Sequence, residues 1–174
     1  MKTDRINRII EAGIVAMLLA FVGTLYLSLH ETVVTVGDTA PDFSIRTDSG
    51  KTVTARDFGG KLLILNFWAT WCPPCIHEVP SLNQLANILG PKGLVVLGVS
   101  EDKDPQAYKD FVARFHVTYQ TARAPDQEIK AKYGTVQIPE SYLIDQSGKV
   151  VEKIVSETNW SSEQMVQDVS KYLL

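Results

Sequence analysis

Cysteine is scarce in this sequence: only two of its 174 residues, Cys72 and Cys75. That count excludes a disulfide-stapled scaffold, and equally a tetrahedral zinc site built from cysteine alone. Net charge is scarce too, because 17 Lys and Arg stand against 20 Asp and Glu to leave −3 at neutral pH. So slight and mixed a charge gives no electrostatic reason for a nucleic-acid partner, and none is expected. The 11 glycines and 8 prolines are too few for a collagen-like or low-complexity chain. A hydrophobic content of 45% excludes disorder as the main state, and the length fits one globular domain.

The apolar residues are unevenly placed. Ala12 to Leu29 carries no charged side chain, after a start holding Lys2, Arg5 and Arg8. At 1.5 Å per residue the run spans roughly 27 Å, close to the hydrocarbon thickness of a bilayer. Ile9, Ile10 and an interfacial Glu11 extend it. A buried core helix is the alternative, but a helix apolar on every face at the extreme terminus is hard for a soluble core to enclose. A cleaved signal peptide shares the basic start, yet the run exceeds the usual signal core and no small-x-small pair follows it. Residues 1–30 are therefore expected to be a short cytoplasmic stub and an uncleaved single-pass anchor. No Lys or Arg follows until Arg46. This asymmetry places the remainder on the extracytoplasmic side of a bacterial cell membrane. Residues 31–41, with Gly37 and Asp38, read as a tether, and 42–174 as the domain proper.

Within that domain, Phe43–Arg46 and Lys51–Thr54 flank Thr47-Asp48-Ser49-Gly50 as a small hairpin. The nearly unbroken apolar run in Lys61–Ala69 reads as a strand covered on both faces. From Pro74 to Leu89 the positions Ile76, Val79, Leu82, Leu85, Ala86 and Leu89 recur at helical spacing. Leu94–Val99 is a second buried strand, and Asp104-Pro105 opens a helix reaching Phe115 with Asp as cap. A strand at Thr118–Thr121 and a helix at Asp126–Tyr133 follow. Strands Ser141–Asp145 and Lys149–Val155 then surround Gln146-Ser147-Gly148, and Ser161 with Gln164 marks a final helix. The order predicts an α/β fold: a central mixed sheet with helices on both faces.

Trp71-Cys72-Pro73-Pro74-Cys75 lies where a buried strand ends and an amphipathic helix begins. Cys72, just outside the helix, meets the positive end of its dipole, which favours thiolate and makes it the attacking nucleophile. Cys75, one turn inward, is the resolving thiol that releases a mixed disulfide. A purely structural disulfide is a weaker reading, since so small a loop contributes only about 2 kcal/mol. A metal site using Cys72, Cys75 and His77 lacks a further nearby ligand in sequence, and His77 reads as a solvated helix residue.

Asn66-Phe67-Trp68-Ala69-Thr70-Trp71-Cys72-Pro73-Pro74-Cys75 resembles the active-site segment of the thioredoxin superfamily. More narrowly it resembles the membrane-anchored TlpA/ResA-type thiol-disulfide oxidoreductases, which include the thioredoxins of cytochrome c maturation. Gly37-Asp38-Thr39-Ala40-Pro41-Asp42-Phe43 and Ile138-Pro139-Glu140-Ser141-Tyr142-Leu143-Ile144-Asp145 support the likeness, which covers about residues 37 to 174. The resemblance implies a thioredoxin-like domain with an N-terminal hairpin, and a helix-strand insertion at Asp104–Thr121. It also makes Ile138-Pro139 a cis peptide packed against the disulfide, where composition alone favours trans, with only about one X-Pro bond in twenty being cis. The backbone of Ile138 would then pair with an extended substrate, with Pro139 and Glu140 beside it and Pro73 and Pro74 flanking the cysteines. Trp71 would offer an apolar surface next to the nucleophile, whereas Trp68 reads as core and Trp160 as remote from any site.

Glu78 follows Cys75 by three residues and so projects from the same helix face one turn along. A charge there is ordinarily just solvated. Cytosolic thioredoxins carry a buried Asp where this chain has Asn66, which cannot take a proton; the subgroup resembles Cys75-Ile76-His77-Glu78-Val79-Pro80 instead. The resemblance thus implies that Glu78, partly desolvated, accepts the Cys75 proton.

The expected activity is reduction of disulfides in exported proteins, apocytochrome c among them, through the Cys72/Cys75 pair. No organic cofactor and no metal are required, but a membrane thiol-disulfide electron donor is implied, to recharge the pair. Two rivals stand. A thiol peroxidase of the redoxin superfamily shares the Ala40-Pro41-Asp42-Phe43 entrance, but has Thr or Ser where Ala69 stands. A membrane-tethered copper-binding module would need a His beside the reduced pair.

Overall fold

A computed structural model of the protein describes residues 2–29 and 33–173, with side chains of 2–6, 9 and 26–29 outside that description. Two units are separable, residues 1–32 and 33–174. The first is helix α1, Lys2–Leu29. Its described side chains between Ile10 and Leu25, including Met17, Leu19 and Phe21, are exposed. Among the described residues no helix is long and apolar enough to cross a membrane. Positions 30–32, where the anchor was expected to give way to the tether, lie outside the described residues.

The second unit is built on the strand the apolar run predicts. Strand β3 (Leu62–Trp68) is buried at every residue, as a central strand covered on both faces must be. It pairs in parallel with β4 (Leu94–Ser100), which pairs in parallel with β5 (Gln120–Arg123). On its other edge it meets β6 (Glu140–Ile144) antiparallel, and β6 meets β7 (Val150–Val155) antiparallel. The sheet order is β5-β4-β3-β6-β7. Before it comes the hairpin β1 (Ser44–Arg46) and β2 (Thr52–Thr54), with Thr47 bridging to Ala122 of β5.

Strand alternation sorts β3 between two cores. Leu63, Leu65 and Phe67 join Phe43, Ile129, Tyr133 and Tyr142, a layer to which the hairpin and helix α4 (Glu128–Tyr133) contribute. Leu62 and Ile64 join Leu82, Leu85 and Leu89 of helix α2 (Pro73–Leu89) and Val169 of helix α5 (Glu163–Ser170). Trp68 packs with Tyr108 and Phe111 of helix α3 (Pro105–Arg114), the predicted insertion. Gly98 on β4 is required by this packing, since a Cβ there would lie 2.9 Å from Trp68 Nε1. Helices thus cover both faces.

Several boundaries move, each for a visible reason. The segment expected to be a tether is docked from Val34 onward: Val34 is buried, its N–H donates to Tyr133 O, and Gly37 N–H donates to Val150 O. Strand β5 begins two residues later than expected because Asn83 Oδ1 takes the N–H and hydroxyl of Thr118. Asp126 does not open α4; its carboxylate accepts the Glu128 N–H from outside the helix, with Gln127 at φ +58° between them. The cap of α5 is Ser162, not Ser161. Ser161 is held by Asn159 Oδ1, which leaves Ser162 Oγ to accept the Met165 N–H.

Candidate functional site

The end of β3 and the start of α2 carry the two cysteines into contact. Cys72 is the N-cap of α2 and is joined to Cys75 by a disulfide, S–S 2.16 Å and Cα–Cα 5.3 Å. Pro73 and Pro74 occupy the first two helical positions and have no N–H to give. The Cys75 amide is therefore the first of α2 able to reach the Cys72 sulfur, which it does at 3.3 Å. Cys75 is 1% exposed and packs with Trp68, Val79 and Phe111, and Cys72 is 5% exposed, so the outer sulfur is the less enclosed of the two. Trp71 beside it is 64% exposed.

The Ile138-Pro139 peptide is cis. The carbonyl oxygen of Ile138 lies 3.7 Å from Cys72 Sγ, placing this loop directly against the disulfide. Ile138 is half-buried and Pro139 is buried. The predicted residues Trp71, Cys72, Pro73, Pro74, Cys75, Ile138 and Pro139 therefore come together. Glu140 departs from them in its side chain. It is buried, its carboxylate paired with Lys153 Nζ at 2.7 Å and accepting the Tyr142 hydroxyl at 2.5 Å. With its side chain committed inward, Glu140 has only its main chain to offer near a substrate.

Glu78 is 3% exposed. Its Oε1 accepts from Asn66 Nδ2 at 2.8 Å and its Oε2 from Trp160 Nε1 at 3.2 Å. Burial pushes its carboxyl up to about 7, against the downward pull of hydrogen bonds from Asn66, Trp160 and the Thr158 backbone; the charge of Glu157 adds a further push upward. Asn66 also donates to Ser141 Oγ at 2.9 Å, which ties β3, α2 and β6 together under the site. A buried carboxyl poised near neutrality, one turn after Cys75, has the properties of a proton acceptor.

Three features here lie beyond the reach of the sequence reading. Trp160, far from the cysteines in sequence, belongs to this network because the chain after β7 folds back over α2. Asp102, beyond β4, accepts the Thr70 N–H at 3.0 Å and hydroxyl at 2.6 Å and the Ser100 hydroxyl at 2.6 Å, bracing the turn that leads to Cys72. Glu101 pairs with Lys130 at 2.6 Å with both side chains largely buried. His77 is exposed, with Nδ1 3.3 Å from Glu157. Among the described residues no cluster of three or more His, Cys, Asp or Glu is arranged to hold a metal.

A family model described as the AhpC/TSA family matches residues 36–153. Among curated proteins, the thiol-disulfide oxidoreductase ResA of Bacillus cereus (strain ATCC 10987 / NRS 248) is 34% identical over 171 residues, covering 96% of this chain and 95% of the relative. The ResA of Geobacillus thermodenitrificans (strain NG80-2) is 35% identical over 153 residues, covering 86% and 87%. Among solved structures, a thiol:disulfide interchange protein DsbE from Chlorobium tepidum aligns with a TM-score of 0.75 at 31% identity, covering 81% of this chain and 99% of that one.

Proposed function

The chain belongs to the AhpC/TSA family and, with its ResA relatives, to the thiol-disulfide oxidoreductases; on that premise we propose that it is a membrane-anchored reductase of disulfides in exported proteins. The observation that carries this reading is the pairing of an N-cap nucleophile with a buried, near-neutral carboxyl one turn past its partner thiol.

The reaction runs as follows. Cys72 thiolate attacks a sulfur of the substrate disulfide; that S–S bond breaks, and one substrate sulfur leaves with the electron pair. An extended substrate segment lies along Ile138, with Trp71 and Pro139 shaping the apolar approach. Cys75 then gives its proton to the Glu78 carboxylate and attacks Cys72 Sγ. The second substrate sulfur leaves as thiolate, the Cys72–Cys75 disulfide forms, and the Glu78 proton passes to the departing sulfur or to water. Two electrons have moved from the protein to the substrate, so a membrane dithiol donor must reduce Cys72–Cys75 again.

Lys2, Arg5 and Arg8 precede the apolar run and no Lys or Arg follows before Arg46, which favours an anchor in residues 1–30 with the catalytic unit outside the cytoplasm. Apocytochrome c, whose haem-binding cysteines must be reduced, is the proposed substrate class.

The test is a trap. Cys75→Ser in the full-length chain leaves substrates linked to Cys72; recovered apocytochrome c supports the maturation role, broad recovery of exported proteins points to general repair, and no adduct refutes the reductase. The AhpC/TSA match favours thiol peroxidase as the second reading. The buried Ala69, three residues before Cys72, offers no hydroxyl where the redoxin peroxidases carry Thr or Ser. Peroxide consumption by the reduced full-length chain would support that reading.

A further inference from the structure

Trp160 is fully buried, and both ends of it are fastened to α2. Its indole N–H donates to Glu78 Oε2 at 3.2 Å, and its main-chain N–H donates to Ser81 Oγ at 3.1 Å. The Ser81 hydroxyl in turn donates to the Glu78 main-chain oxygen at 2.9 Å. Ser81, one turn beyond Glu78 and nearly two beyond Cys75 on the same helix, therefore clasps the 156–160 segment in the register that brings the indole to the carboxyl. The segment turns sharply to get there: Ser156, a non-glycine residue, sits at φ +93°. Asn66 holds the other carboxylate oxygen from the sheet side. With one donor from β3 and one from beyond β7, the carboxyl is fixed in orientation.

We propose that Trp160 is a positioning residue for the thiol-disulfide exchange, its indole N–H holding the Glu78 carboxylate oriented and stabilised to take the resolving thiol's proton. This rests on the reading of Glu78 as that acceptor. The balance is unchanged from the reaction above: the Cys75 S–H bond breaks, Glu78 gains the proton, the Cys75–Cys72 bond forms and the substrate thiolate leaves. Trp160 touches neither sulfur nor substrate; it acts through the carboxylate. The titratable and charged groups around Glu78 are Cys75 and Cys72 on α2, Glu157 beside Trp160, His77 paired to Glu157, and Tyr119, which is buried before β5 with its hydroxyl pushed far up by burial. Removing the indole donor leaves the carboxylate form less stabilised, so the carboxyl titrates higher still.

The experiment compares Trp160→Phe and Glu78→Gln with the wild-type full-length chain in detergent, following the pH dependence of turnover on a disulfide-bonded peptide. A hydrogen bond to a charged group is worth enough to move a titration by about 1 pH unit. Trp160→Phe should therefore shift the acid limb upward by about 1 unit and slow turnover about tenfold at pH 6, with little loss at pH 9. Glu78→Gln should abolish that limb. If Glu78→Gln abolishes it while Trp160→Phe leaves its position unmoved, or lowers the rate equally at all pH, Trp160 is merely structural and the proposal fails. If Glu78→Gln itself leaves the limb in place, the acceptor reading falls instead, and the Trp160 proposal falls with it. Should Trp160→Phe not fold, the wild-type indole N–H resonance decides. It should titrate in step with the Glu78 carboxyl, and a flat resonance while that carboxyl titrates overturns the proposal.

Discussion

Glu78→Gln should make the oxidised protein more stable at pH 8 and leave it nearly unchanged in slope at pH 4. In the oxidised state neither cysteine titrates, so the thiols drop out of the comparison. The Glu78 carboxyl sits near 7 in the folded chain against 4.5 when unfolded. Below about pH 4.5 it is protonated in both states, and all of the stability it permits is present. As the pH rises from 4.5 through 7, the unfolded chain ionises first and stability is lost; above 7 the loss is complete. A gap from 4.5 to about 7, at 1.36 kcal/mol per unit, amounts to about 3 kcal/mol. Gln cannot ionise and escapes this. Its amide must still fit two donors, Asn66 Nδ2 and Trp160 Nε1, which Asn66 can accommodate by turning its amide over and offering Oδ1. Any residual mismatch costs about 1 kcal/mol and does not depend on pH. The substitution therefore adds a constant offset and removes a slope. Urea unfolding of the oxidised full-length chain in mild detergent, from pH 4 to 8, measures both. With m of roughly 2 kcal/mol/M, the two midpoints should separate by about 1.5 M more at pH 8 than at pH 4. Parallel midpoint curves for the two proteins would refute the raised carboxyl and with it the electrostatic argument for Glu78.

Three other perturbations probe the frame around the site. Lys153→Met strands the buried Glu140 carboxylate and should cost about 3 kcal/mol at neutral pH, and Glu140→Gln in the same chain should recover most of it in a double-mutant cycle followed by thermal unfolding. Asp102→Ala removes three acceptor contacts from Thr70 and Ser100 and should cost about 2 kcal/mol while speeding attack of a small thiol on the Cys72–Cys75 disulfide, with Asp102→Asn falling between it and wild type. Asn66→Asp places a second carboxyl within hydrogen-bond reach of Glu78, so the pair should retain one proton above pH 7, visible as a two-step carboxyl titration by NMR.

The parts of the fold that were legible in the sequence are those decided within a few residues. Leu62–Trp68 declares a central strand by its composition. Asp104-Pro105 declares a helix start because the carboxylate reaches the Gln106 and Ala107 amides only two and three positions on. The cysteine pair declares its chemistry by sitting between strand and helix. What the sequence could not show depends on distant segments meeting. Asn83 takes Thr118 out of β5 from 35 positions away. Glu140 looks like a substrate contact beside Pro139 until β7 lays Lys153 across it. Trp160 and Asp102 carry no local pattern at all, since each acts on a residue of another element through one or two polar atoms.

Asn66 and Glu78 show how that distribution bears on chemistry. Asn66 is fully buried on the central strand and cannot exchange a proton, so it contributes a donor of fixed charge whatever the redox state. Glu78 supplies the ionisable group from the helix that carries Cys75 and is capped by Cys72. On the proposed role of Glu78, an acceptor on α2 keeps its place relative to Cys75, because both are set by the same helical turn. The sheet and the 156–160 segment then need only to clamp its two oxygens, and burial does the rest by raising the carboxyl to about 7. A carboxyl on the helix surface would remain ionised at that pH and be a poorer base for a thiol; one buried without Asn66 and Trp160 would stay protonated and accept nothing. The two donors therefore decide where between those limits the carboxyl titrates.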